Sequence, residues 1–229
     1  MAEDTRAAKI LDRLVKTDES ARLGKMIKGK TVIVYGCGPS LEDDLQKLFK
    51  SGIHSKCVNL AVDGAVKALL SYNIVPHINV SDLDGDIKSI LYANKYGCVT
   101  VIHGHGDNIN QLLKFVPHFK GLLIGTTQSD PIGKIYNFGG FTDGDRSVYL
   151  AEKFKPRVII LAGMDFGNVV GVFSGVYDRI KKPRKLRMGK SLIEKLAKQS
   201  KTPILNLTSG GEHIIGVQKI DIERLASII

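Results

Sequence analysis

The chain has 229 residues, 43% of them hydrophobic and 24% charged, with a formal net charge of +10. This length fits one compact domain that buries roughly 70–75% of its unfolded surface, so neither disulfides nor a structural metal is needed to hold it together. No apolar run approaches the ~18 residues of a membrane span, and the acidic start Met1-Ala2-Glu3-Asp4 lacks a signal-peptide core, which points to a cytoplasmic protein with no membrane partner.

Residues 6–26 carry Ile10, Leu11, Leu14 and Val15 at helical spacing. They predict one amphipathic helix, which serves either the chain's own core or a partner subunit in a homo-oligomer. Residues 1–30 are thus an N-terminal helical segment and 31–229 the α/β domain. From residue 31 onward strands alternate with helices. Strands are expected at 31–35, 56–62, 77–81, 98–102, 121–125 and 158–161, with a short edge strand or turn at 138–140. Helices are expected at 40–50, where Ser40 is a good N-cap, and at 64–72, 87–96, 108–115 and 146–154. After a Gly-rich stretch at 163–175, the pattern returns with a helix at 190–199, a strand at 203–207 and a short helix at 221–229. The strands are near-continuous apolar runs, the signature of a parallel sheet covered on both faces. The expected fold is a doubly wound, mostly parallel α/β sheet.

In such sheets ligands bind beyond the C-terminal strand ends. Here those ends read Gly36-Cys37-Gly38-Pro39-Ser40, Asp63-Gly64, Asp82-Leu83-Asp84-Gly85-Asp86, His103-Gly104-His105-Gly106-Asp107-Asn108, Thr126-Thr127-Gln128 and Gly163-Met164-Asp165. Glycine plus a polar or acidic residue at end after end argues for an active site. Asp82, Asp84 and Asp86 alternate directly after a strand and share a face if the chain stays extended. Like charges about 4 Å apart repel by roughly 4 kcal/mol at an effective dielectric of ~20, a cost that a cation relieves. An all-oxygen site suits Mg²⁺ held together with substrate phosphates. An EF-hand is excluded, because Ala93 stands where its twelfth-position Glu belongs.

The glycine turn at 36–40 resembles a phosphate-binding turn, although Leu41 replaces the third glycine of a dinucleotide fingerprint and no Walker Lys-Ser/Thr follows. One of His103 and His105 contacts substrate or phosphate, or both are structural, while two histidines without a third ligand make a weak zinc site. Asp107 caps the next helix or reaches the Mg²⁺. In Gly139-Gly140-Phe141-Thr142-Asp143-Gly144-Asp145-Arg146, Arg146 is suited to clamp a phosphate with two prongs, and Asp143 and Asp145 to hold metal or a ring nitrogen. Cys37, Cys57 and Cys98 lie in or beside apolar runs and read as buried thiols. Residues 179–201 hold ten Lys/Arg and one acid, so this stretch carries +9 of the +10. It captures a polyphosphate, binds nucleic acid or is a solvated loop. The absence of any aromatic in it for base stacking weighs against nucleic acid.

Together, G-C-G-P-S-L at 36–41, V-D-G-A at 62–65, S-D-L-D-G-D at 81–86, H-G-H-G-D-N at 103–108, T-T-Q at 126–128 and G-G-F-T-D-G-D-R at 139–146 resemble the archaeal 6-hydroxymethyl-7,8-dihydropterin diphosphokinase family. The stretch 63–90 is also similar to thiamine pyrophosphokinases, with Ser81 in place of a glycine and Gly85 in place of a serine. The resemblance implies an ATP-dependent diphosphokinase that moves diphosphate from ATP to a pterin alcohol and releases AMP. It implies Mg²⁺ on Asp82 and Asp84, with Asp107 or Asp86 as further ligands. Gly36, Gly38 and Ser40 would cradle nucleotide phosphates, and Arg146 with Lys185 or Lys190 would meet the polyphosphate. Asp63, His105, Asn108, Thr127, Gln128 and Asp145 would contact substrate. A thiamine-type diphosphokinase and a nucleic-acid-binding module are the alternatives.

Overall fold

In the computed structural model the described residues are 2–175 and 178–229; Met1, where the expected N-terminal segment begins, lies outside them. The chain begins with two helices, α1 (Ala2–Leu14) and α2 (Ser20–Ile27). There follow β1 (Thr31–Tyr35), α3 (Leu41–Lys50), β2 (Val58–Val62), α4 (Ala65–Ser71), β3 (Ile78–Ser81), α5 (Ile87–Lys95), β4 (Val99–Gly104), α6 (Ile109–Phe115), β5 (Leu123–Thr127) and β6 (Ile135–Tyr136). The last third holds α7 (Asp143–Lys153), β7 (Val158–Ala162), α8 (Lys181–Gln199), β8 (Ile204–Asn206), β9 (Gln218–Lys219) and α9 (Ile222–Ile228).

The nine strands of the described residues join one parallel sheet in the order β6-β5-β4-β3-β2-β1-β7-β8-β9. The chain winds outward from β1 to β6, then returns to place β7 on the other side of β1, so the direction switches between β1 and β7. The central strands are buried along their whole length, as their unbroken apolar runs require. Successive side chains feed opposite faces: Ile33 and Tyr35 join α1, α3, α4 and α5 in one core, and Val32 and Val34 join α2, α7 and α8 in the other. Among the described residues no helix is long and apolar enough to cross a membrane.

Several elements differ from the sequence reading. The expected helix at 6–26 is two helices. Asp18 accepts a hydrogen bond from the Ser20 amide at 2.9 Å and from the Tyr136 hydroxyl, and this Asx turn breaks the run. The apolar face of α1, with Ala7, Ala8 and Leu11 fully buried, packs in the chain's own core. The segment also laces one edge of the sheet, since Asp4 accepts from the Gly106 amide and Asp12 from the Lys134 amide. The edge strand lies at 135–136, not 138–140, because Gly139 and Gly140 have φ of 92° and 86° and leave the extended region. Helix α8 starts nine residues earlier than expected: Asp178 accepts from the Ile180 and Lys181 amides, and Pro183 falls in the first turn, where its missing N–H costs nothing. Strands β4 and β5 run on to Gly104 and Thr127, which puts His103, Thr126 and Thr127 inside the sheet rather than in loops.

Candidate active site

Because every strand is parallel, every strand end named above reaches the same edge, and a cavity of about 420 Å³ opens there. Its floor is the acidic turn after β3. The chain does not stay extended there: Leu83 turns into the left-handed region, φ 69°, with its side chain buried. This turn, rather than strand alternation, sets Asp82 beside Asp84, and the Asp84 amide donates to Asp82 Oδ1 at 3.2 Å. Asp86 turns away, caps α5 through the Ser89 amide and pairs with Lys67, so it is no ligand of the cluster.

The third member is Asp63, at φ 41° on the end of β2. Ser81 Oγ donates to its Oδ1 at 2.8 Å and itself accepts from the Leu83 amide. A Cβ at position 85 would stand 2.5 Å from both Asp63 oxygens, so the motif needs glycine there to let the two turns meet. One oxygen each from Asp63, Asp82 and Asp84 lies within 4.8 Å of the others, the one such grouping of acidic, His or Cys side chains among the described residues.

The electrostatics follow from this crowding. Burial raises the Asp63 carboxyl, opposed by its bond from Ser81 and reinforced by the charge of Asp82. Asp84 is pushed up to about 8 by burial, then by the charges of Asp82 and Asp63. Burial also pushes on Asp82, but hydrogen bonds from His105 and within the turn prevail and hold it below the usual carboxylate range. Asp143, at the start of α7 on the cavity wall, is raised well above that range by burial and by Asp82 and Asp63. The set is oxygen-only, close and mutually repelling, which fits a hard divalent cation.

Both His105 and Asn108, expected on substrate, brace Asp82; His105 also lines the cavity, and Asn108 does not. The Asp107 amide donates to His105 Nδ1, which leaves the ring proton on Nε2, 3.3 Å from Asp82 Oδ2. Asn108 Nδ2 donates to the Asp82 and His103 carbonyls, each at 2.7 Å, and its Oδ1 accepts from the His105 amide. Asp107 lines the cavity but stands outside the carboxylate cluster, against its expected place as a ligand.

The glycine turn after β1 packs closely on the chain itself. Side chains at Gly36 and Gly38 would strike the chain itself: Gly163, Met164 and Asp165 fill that space. Ser40 does not cap α3; its hydroxyl donates to Asp165 Oδ2 at 2.8 Å. Gly36 and Gly38 still edge the cavity, but Ser40 does not. Thr127 faces away, its hydroxyl paired with Ser129. Asp145 is fully buried and caps α7 by accepting from the Phe141 and Thr142 amides, so it holds neither metal nor ring nitrogen.

Arg146 and Gln128 do reach the cavity. One guanidinium nitrogen donates to Gln128 Oε1 and to the Phe141 carbonyl, both at 3.1 Å, and the group remains a cation although burial draws its pKa down. Of the two lysines singled out from sequence, Lys185 lines the cavity and Lys190 is paired with Glu212 at 2.7 Å. Lys181 and Lys182, which also line it, were missed. Their signal was the start of the basic run, hidden by placing the helix nine residues too late. All three thiols are free; Cys57 and Cys98 are buried as expected, whereas Cys37 is half-buried and lines the cavity, and burial raises each, Cys57 to about 11.

A model of the family described as 6-hydroxymethylpterin diphosphokinase MptE-like matches residues 6–171, which hold the whole carboxylate cluster, Gln128 and Arg146. The chain belongs to that family. It is 40% identical over 217 residues to a 6-hydroxymethyl-7,8-dihydropterin pyrophosphokinase of Pyrococcus furiosus, covering 90% of each chain. It is 37% identical over 211 residues to one of Methanocaldococcus jannaschii, covering 85% of this chain and 87% of that one. Among solved structures, the Maf glycosyltransferase of Magnetospirillum magneticum AMB-1 is similar over 95% of this chain and 39% of its own, with a TM-score of 0.57 and 14% identity. That likeness shows the fold. The family match stops before α8, so the roles of its lysines rest on the cavity geometry.

Proposed function

We propose that this protein is an ATP-dependent diphosphokinase that transfers diphosphate to the hydroxymethyl group of 6-hydroxymethyl-7,8-dihydropterin. The observation that carries the reading is the Asp63–Asp82–Asp84 cluster on the floor of a cavity rimmed by Arg146 and three lysines, in a chain 40% identical to a protein named for that reaction. The hydroxymethyl oxygen attacks the β-phosphorus of ATP, the bond from the β-phosphorus to the α,β-bridging oxygen breaks, and AMP leaves with that oxygen. The hydroxyl proton passes to one of the carboxylates that line the cavity.

Such transfers need little covalent help; positioning and charge neutralisation carry most of the rate. Asp63, Asp82 and Asp84 would hold Mg²⁺, which supplies charge neutralisation at the polyphosphate when bound. His105 and Asn108 fix Asp82 in place for that task. Arg146, pre-set by Gln128 and Phe141, presents a fixed cation that costs no reorganisation during the reaction. Lys181, Lys182 and Lys185 collect the negative tail of the nucleotide. The basic run therefore turns part of its charge into the cavity, which favours a polyphosphate over a nucleic-acid duplex.

Incubation with ATP, Mg²⁺ and the pterin, followed by separation of the nucleotides, tests the reading. AMP in step with pterin diphosphate supports it. ADP as the nucleotide product, or equal turnover of thiamine in place of the pterin, refutes it.

A further inference from the structure

The strand order divides the cavity into two ends. Asp63, Asp82 and Asp84 follow β2 and β3, in the middle. On one side lie Gly36 and Gly163, after β1 and β7. Gly171, ten residues before α8, packs against Cys37 and Gly38 on this side, and the charge of Lys182 acts on Cys37, Asp63 and Asp84. On the other side lie His103 in β4 and Gln128 after β5, with Arg146 bonded to Gln128. A triphosphate running from the lysines to the carboxylate cluster fills the first side and the centre. The β4–β5 side is left for the acceptor.

His103 gives that side its chemistry. It forms part of the cavity wall and is only 2% exposed. The Thr126 hydroxyl lies 3.2 Å from both the Ile102 carbonyl and His103 Nδ1. In the tautomer in which Thr126 serves the carbonyl and accepts from Nδ1, Nε2 is a bare acceptor. Nε2 is also one of the few buried side-chain atoms with no hydrogen-bond partner among the described residues. Burial, then the charge of Arg146, holds the ring neutral, with its pKa lowered to about 3. A buried lone pair repels phosphate oxygens and welcomes an N–H, and buried polar atoms are rarely left without a partner. Phe141, 45% exposed on the same wall, adds apolar surface suited to a flat heterocycle.

We propose that the β4–β5 end of the cavity is the pterin subsite and that His103 Nε2 accepts a hydrogen bond from an N–H of the pterin. This rests on the diphosphokinase reading. Polyphosphate recognition stays with the lysine side, so the two substrates are read by separate groups.

Steady-state kinetics on His103→Leu, which cannot accept, and His103→Gln, which places an amide oxygen near the position of Nε2, test the assignment. The Leu variant should raise KM for the pterin about 10- to 100-fold with KM for ATP within about twofold, and Gln should recover most of the loss. If Leu does not fold, the Gln variant is compared with wild type by pterin fluorescence titration without nucleotide and by ATP titration without pterin. A weakening confined to the pterin supports the subsite. A change in ATP affinity instead, an equal change in both, or no change overturns it while leaving the enzyme a diphosphokinase. Wild-type protein that makes no AMP from ATP and the pterin removes both readings together.

Discussion

Two turns at the same sheet edge look equally like ligand loops in sequence, and the molecule treats them in opposite ways. The glycine turn after β1 is closed by the chain itself: Asp165 takes the Ser40 hydroxyl, and Gly163 to Asp165 occupy the space over Gly36 and Gly38. The acidic turn after β3 is held open by bonds placed behind it, from Asn108 and His105 to Asp82 and from Ser81 to Asp63. Glycine announces a close backbone approach without saying what approaches. Crowded carboxylates announce a repulsion that the folded chain does not itself resolve.

The contrast breaks most sharply at the cluster. Asp84→Asn should lower turnover by about 10³-fold, the scale of losing a cation's grip on a transferring phosphoryl group, while the metal-free melting temperature holds or rises, because burial and the charges of Asp82 and Asp63 oppose its ionised form. A fall in that melting temperature would mark Asp84 as a structural residue and dissolve the distinction between the turns. Lys182→Ala should raise KM for ATP roughly tenfold at low salt and less at high salt, whereas Lys190→Ala, whose partner Glu212 lies outside the cavity, should change it less than twofold. Gly38→Ala should act on the other turn and through folding: a Cβ there would stand 2.9 Å from Asp165 Cγ, and the clash should cost about 1–3 kcal/mol in urea denaturation. Retained stability with lost ATP affinity would restore the phosphate-turn reading.

Acidity gives a finer separation. Asp84 has its folded pKa raised to about 8, so its ionised form is a cost that grows as pH rises from about 4 through 8. In metal-free protein the stability gained by Asp84→Asn should therefore be largest above pH 8 and fade toward pH 4, and a gain independent of pH would place the repulsion elsewhere. His103 runs the other way. Its folded pKa is depressed to about 3, so its neutral burial is fully tolerated above about 6.5 and costs stability as pH falls from there toward 3. His103→Gln should flatten that acid limb of the melting-temperature profile.

The fold was legible because parallel strands buried on both faces write themselves as unbroken apolar runs, as at Thr31–Tyr35 and Val158–Ala162. The aspartates were legible because repulsion without local compensation stands out. What the sequence hid was partnership at a distance. Ser40 read as a helix cap because Asp165, 125 residues away, is invisible from position 40. Asp145 read as a ligand because a carboxylate that caps its own helix has the same composition as one that grips an ion. Asn108 read as a substrate contact although it braces Asp82 across 26 residues. Lys182 was named only within the basic run, because the helix that aims it was placed from residue 190 rather than 181.

The N-terminal segment carries a consequence for how the protein is made. Its anchors lie far down the chain: Asp4 to Gly106, Asp12 to Lys134 and Asp18 to Tyr136 span 102, 122 and 118 residues. On the ribosome, α1 has no seat until more than a hundred further residues have followed it. It therefore docks late, and during that interval its exposed apolar stripe is the natural point for a chaperone to hold.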